Sequence, residues 1–155
     1  MNVGEVFLGA FLGFIASYAV EKLLSWEADK SRAKTALQWV RRELSDNMGI
    51  LKSCLAAPHD ELNHTLYPDH HWNSAILSGA LTSLREHDVL ADLSTVYREL
   101  KDIERWTGLL CEVYFNTTDA QRREVPRISK YIRSRQEKAV DRIQKLIENP
   151  SIRCA

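Results

Sequence analysis

The chain has 155 residues, 45% of them hydrophobic and 27% charged, from which one small domain with a modest core beyond a membrane segment is expected and a second domain is not. Basic and acidic side chains balance at 21 each, yet residues 57–119 carry four basic and eleven acidic groups and residues 120–155 carry ten and four, an asymmetry that signals a partner or an internal fit. Three cysteines, Cys54, Cys111 and Cys154, are odd in number and widely separated, which fits free thiols in a reducing compartment and not a disulfide framework.

Val6 to Val20 runs apolar or near-apolar without a charge. Fifteen residues of helix span about 22 Å, short of the roughly 30 Å of a hydrocarbon core. Leu23, Leu24 and Trp26 lengthen the run to twenty-one residues, about 31 Å, provided Glu21 and Lys22 lie near the cytoplasmic interface with Lys22 snorkelling outward. Residues 1–26 therefore read as a retained transmembrane anchor, with Tyr18 and Trp26 at interfacial depth and neither the basic start nor the cleavage site of a signal peptide. Only Glu5 precedes the run, whereas Lys22, Lys30, Arg32 and Lys34 follow it. Positive residues stay inside, so the expectation is a single-pass inner-membrane protein with its amino terminus outside and residues 27–155 cytoplasmic. Gly9, Gly13 and Ser17 recur every fourth residue on one helical face, where small side chains let helices approach closely in lipid, so membrane lipid and further copies of the chain are the expected partners. One spanning helix can neither conduct nor transport, so any membrane activity requires a homo-oligomer. Glu5 and Glu21 continue the spacing and would set carboxylates near each mouth of such a ring.

The rest of the chain shows helical periodicity and no convincing period-two alternation, which predicts an all-α protein: an N-terminal transmembrane helix continuing into a cytoplasmic helical bundle. From Ser25 to Ala57 there is no proline, and Ala33, Leu37, Val40, Leu44, Met48, Leu51 and Leu55 recur at steps of three and four. The anchor is expected to continue through this stretch as one helix, with a break at Trp26 to Ser31 as the alternative. Ala57-Pro58 ends it, and the polar segment to His71 reads as a loop. Asp69 can cap a short helix from His70 with Trp72, Ile76 and Ala80 toward the core and Gly79 at a bend. After a turn over Ser83 to His87, Asp88 can cap a helix with a stripe of Val89, Leu93, Val96 or Tyr97, Leu100, Ile103, Thr107, Leu110 and Tyr114. The last helix starts around Pro126, presents Ile128, Tyr131 or Ile132, Val140, Ile143 and Ile147, and stops at Asn149-Pro150.

Chemistry has few candidates. His59-Asp60-Glu61, His64 and Asp69-His70-His71 offer imidazoles and carboxylates, but their spacing matches no zinc pattern, so a solvated loop is the expected state and no metal, cofactor or catalytic residue is assigned. No phosphate-binding glycine loop, nucleophile elbow or dinucleotide fingerprint occurs, which disfavours ordinary enzyme chemistry, a metal-dependent activity of the His59 to His71 loop being the one route left open. The final helix carries a basic face, with Arg123, Arg127, Lys130, Arg133 and Lys138 as candidate anion contacts and Arg135, Arg142 and Lys145 beside them. It would bind nucleotide, RNA or lipid phosphates, or pair with Glu99, Asp102, Glu104 and Glu112 of the preceding helix.

Glu43-Leu44 with Asn47, then Trp72, Ala75, Ser78 and Gly79, then Leu93 with Val96 and Tyr97, resemble a loose group of small prokaryotic proteins with one amino-terminal membrane helix and a cytoplasmic helical bundle. The matched positions look like packing and capping residues. Some similar members are antiphage membrane effectors, including accessory proteins of RNA-targeting CRISPR loci that assemble into pores. The ribonuclease-like pattern of related helical domains, arginine then histidine after four to six residues, is absent, Asn63 and His70 being only a partial match. The resemblance implies an oligomeric membrane effector that alters permeability in antiviral defence. A membrane-tethered module binding nucleotide, RNA or a protein partner through the basic helix is the alternative.

Overall fold

The computed structural model describes residues 3–58, 65–82, 87–116 and 124–153, with side chains in the first helix from Phe11 onward. All regular structure among them is helical. Helix α1 runs Val3–Ala56 without interruption, 54 residues or about 80 Å. The break considered near Trp26 is absent, as expected of a stretch with no proline and a run of good helix formers. The helix ends where Ala57 makes a last bond to Ser53 and Pro58 cannot supply an N–H.

Two different surfaces share this helix. From residue 11 to residue 32 every side chain is exposed. From Ala33 onward one face is buried, with Ala33, Leu37, Val40, Leu44 and Leu51 at 0–3% exposure. Steps of three and four put these residues in one stripe, against which the rest of the bundle packs. Among the described residues no helix is long and apolar enough to cross a membrane. The Val6 to Val20 run lies partly outside that description, because the side chains of residues 3–10 are not part of it.

Helix α2 spans His70–Leu77 and rests on α1. Ala75 is its buried residue and Trp72 is half-buried, while Ile76, expected toward the core, is half exposed. Gly79 follows with φ +66°, a left-handed conformation that glycine adopts without a Cβ penalty and that turns the chain out of the helix. Helix α3, His87–Asn116, buries Val89, Leu93, Val96, Tyr97, Leu100, Ile103 and Leu110. It begins at His87, so Asp88 lies in its first turn and not at the cap; residues 83–86 lie outside the described residues.

Helix α4, Val125–Glu148, has Pro126 in its first turn, where the missing N–H costs nothing, and packs against both α1 and α3. Ile132, Gln136, Ala139, Ile143 and Leu146 form its buried stripe. Tyr131 stays on the surface in a T-shaped contact with the Trp106 ring. Beyond Asn149 the short helix α5, Pro150–Arg153, folds back to bury Ile152 completely. Cys54 and Cys111 are half-buried free thiols. The result is one core shared by α1, α3 and α4, with α2 clamped on the side of α1.

Candidate functional site

The most concentrated polar chemistry in the bundle gathers around Glu43, a charged residue only 2% exposed in the middle of the α1 stripe. A carboxylate is costly to bury unless its oxygens are satisfied. Here four donors or near-donors converge on it. The Tyr97 hydroxyl of α3 donates to Oε1 at 2.6 Å and the Trp72 N–H to the same oxygen at 3.3 Å. The His71 N–H donates to Oε2 at 2.8 Å, and His70 Nδ1 lies 3.4 Å from Oε2.

His71 and Trp72 are the second and third residues of α2, so their N–H groups have no partner within that helix. Glu43 supplies it from another element. Asp69, the local residue expected to cap α2, occupies the N-cap position without a side-chain bond to it and instead pairs with Lys101 of α3 at 3.3 Å. Lys101 also meets Glu104 of its own helix at 3.1 Å, so it is the Asp69 pair that ties the start of α2 to α3. One turn beyond Glu43, Asn47 is fully buried and its Nδ2 donates to the Pro68 carbonyl at 2.8 Å, while its Oδ1 meets no partner among the described residues. Glu43 and Asn47 thus grip both ends of the 68–72 segment.

Aromatic rings wall the cluster. Trp72 stacks on Tyr97 with centroids 5.0 Å apart and planes within 5°. Trp39 of α1 stacks on His71 at 5.2 Å, and the His70 and His71 rings lie 3.9 Å apart. Ligand atoms of Glu43, His70 and His71 all lie within 4.8 Å of one another, with Glu43 buried, His71 half-buried and His70 exposed. No zinc spacing is visible in residues 59–71 because the carboxylate comes from α1, twenty-seven residues before His70. His59, Asp60, Glu61 and His64 lie outside the described residues.

Burial also holds two phenols in their neutral form. Tyr97 is displaced well above the ordinary tyrosine range, by burial first and then by the Glu43 carboxylate that its hydroxyl bonds. Tyr67 is pushed up to about 12, by burial first, with Cys54 and Glu104 adding to the rise and a hydrogen bond with Gln136 opposing it. A pKa raised on folding favours the protonated phenol in the fold, so this stabilisation is complete below pH about 10 and is lost as pH climbs toward and past 12. In an ultraviolet titration the folded chain should therefore reach full phenolate absorbance at higher pH than the urea-unfolded chain. Tyr97→Phe should narrow the gap, and coincident curves would refute the arrangement.

The basic face of α4 divides into inward and outward cations. Arg133 is half-buried and donates to the Leu55 carbonyl in the last turn of α1, where a cation also complements the helix dipole. Arg135 and Arg142 both meet Glu99 of α3, so the charge asymmetry between the two helices is partly an internal fit. Arg127, Lys130 and Lys138 are exposed, Arg127 with Glu124 3.6 Å away; Arg123 lies outside the described residues. On the α1 face, Gly13 and Ser17 are exposed, and a methyl group built on Gly13 meets nothing within 4 Å. Gly9 shares that helix, in the stretch whose surroundings are not described. Compared with family models, curated proteins and solved structures, the chain matches none.

Proposed function

We propose that this chain is a single-pass inner-membrane protein whose copies associate through the Gly9, Gly13 and Ser17 face of α1, and that the assembly acts as an effector altering membrane permeability, in antiviral defence as the resemblance implies. The observation that carries the reading is the exposed apolar stretch of α1. Phe11, Leu12, Phe14, Ile15, Val20, Leu23 and Leu24 are 47–71% exposed, and they point in every direction around the helix. A helix apolar on all sides is a buried or a membrane helix, and among the described residues these side chains stay exposed.

Lengths agree with a span. If Val6 to Trp26 crosses the hydrocarbon core, only residues 27–32 separate it from Ala33, the first buried residue of the bundle. Six residues rise about 9 Å, close to the depth of one headgroup layer, so the bundle would rest against the membrane surface. Lys22 lies over the Tyr18 ring at 5.9 Å and Lys30 over the Trp26 ring at 5.3 Å, pairs suited to an interface where amphipathic rings and cations collect. Arg133 contacts Leu55, at the end of α1 opposite the anchor. That places the exposed start of α4 more than 40 Å from the proposed interface along α1, by about 1.5 Å per residue, which disfavours lipid heads as its ligand.

The test is expression of the full chain with membrane potential and oligomeric state read together. The intact chain should fractionate with membranes, migrate as an oligomer after detergent extraction and depolarise the cell. Gly13→Phe fills the small-residue face and should remain in the membrane but lose the oligomer and the depolarisation. A membrane-bound monomer with the native sequence, or depolarisation unaffected by Gly13→Phe, would overturn the assembly.

Exposed Arg127, Lys130 and Lys138 keep the nucleotide or RNA module as the second reading. Salt-sensitive RNA binding by the extracted full chain, weakened when the three are reversed to glutamate, would favour it.

A further inference from the structure

We infer that Glu43, His70 and His71 form a binding site for one divalent first-row transition ion of the zinc class, with a coordination position open to solvent. The inference is independent of the membrane reading, since it rests on side chains of the bundle alone.

The carboxylate is arranged as a one-oxygen ligand. Tyr97 and the Trp72 N–H occupy Oε1, whereas Oε2 accepts the His71 N–H and keeps a lone pair on the side of His70. Ligating carboxylates are oriented by such outer hydrogen bonds. The His70 Nδ1 to Oε2 separation of 3.4 Å is longer than a good N–H···O bond. It matches the edge between two ligands of a tetrahedral zinc ion, about 3.3 Å for bonds of about 2.0–2.1 Å. His71 is held for the same centre from behind, because Trp39 stacks on its ring. All three donor atoms lie within 4.8 Å of one another, and the exposed His70 is free to close the remaining distance by side-chain rotation.

Charge points the same way. Glu43 is buried, and of the groups around its oxygens, two backbone N–H groups, a phenol and an imidazole, only the imidazole can bring a positive charge. A divalent cation held by neutral imidazoles compensates the carboxylate directly and leaves the N–H and hydroxyl bonds in place. Two imidazoles and one carboxylate suit zinc, cobalt or iron better than magnesium or calcium, which prefer oxygen throughout. Three protein ligands leave the solvent side, where His70 sits, for water or a substrate atom.

The full detergent-extracted chain, stripped with a chelator, should bind one Zn²⁺ per chain by calorimetry and should give the intense visible absorption of tetrahedral Co²⁺, with excess Mg²⁺ displacing neither. His70→Ala, at an exposed position, should abolish the cobalt spectrum, and Tyr97→Phe, which keeps the Trp72 stack, should weaken affinity by about 10- to 100-fold. The double variant His59→Ala, His64→Ala should leave both readouts unchanged. No saturable Zn²⁺ binding, or binding that survives His70→Ala and His71→Ala, overturns the site, as does binding lost with the His59 and His64 pair alone. Circular dichroism of each variant separates loss of ligand from loss of fold.

Discussion

Glu43→Ala should destabilise the bundle by about 4 kcal/mol, a large share of the roughly 5–15 kcal/mol available to a domain. Truncation leaves the Tyr97 hydroxyl and the His71 and Trp72 N–H groups without their acceptor, and each buried unpaired donor costs about 1–3 kcal/mol. Part is returned because no carboxylate remains to be desolvated. Glu43→Gln should cost about 2 kcal/mol, since the amide keeps one acceptor but turns an NH₂ toward other donors. Urea unfolding of the detergent-extracted chain by circular dichroism measures both. With Tyr97→Phe a double-mutant cycle should show strong non-additivity, because the Tyr97 hydroxyl loses its meaning once Glu43 is gone. Additive losses, or a Glu43→Ala cost below about 1 kcal/mol, would mean the four contacts do not act as a unit.

Leu12→Arg combined with Ile15→Arg should remove the chain from the membrane. Both residues lie near the middle of the Val6 to Trp26 run and are exposed, at 58% and 47%, so the bundle does not depend on them. Arginine at the centre of a spanning helix costs about 3 kcal/mol relative to an aliphatic residue, so the pair shifts insertion by about 6 kcal/mol, or about ten-thousand-fold. Alkaline extraction and flotation of membranes report it. Leu77→Arg is the matched control: that residue is 87% exposed on the bundle, and its change should leave the partition as it was. A double arginine variant that still floats with membranes would assign the exposed stretch of α1 to another protein helix instead of lipid.

Most of the helical stripes of α1 and α3 was legible from spacing, because burial on one face of a long helix imposes a three-four period over many turns, but Met48, Leu55 and Thr107 are only half-buried, Tyr114 is exposed, and the polar Glu43 and Asn47 take places on the buried face of α1. In α2 the same logic misplaced the buried residue by one position, Ala75 for Ile76, since eight residues offer too few turns to fix the phase. Pro150 marks the end of α4 as expected, but α5 beyond it needed tertiary information, Ile152 being a lone apolar residue with no periodic partner. Asp69 had the right chemistry for a cap, and it is Lys101, brought in by α3, that draws it away. The role of Glu43 at the start of α2 was not legible, because that contact crosses twenty-eight residues of chain. Local sequence also counts the cations of α4 without saying which turn inward. Arg133 does so because the end of α1 presents unpartnered carbonyls there.

Because α1 is unbroken from its exposed apolar stretch to the bundle, azimuth at one end fixes azimuth at the other. Gly13 and Glu43 stand thirty residues apart, about 45 Å along the axis and about a third of a turn around it. If copies assemble as proposed, a ring with Gly13 toward its centre would hold each Glu43 pocket obliquely off the symmetry axis, and adding a single residue between Ala28 and Arg32 would swing every pocket by about 100° without touching either end.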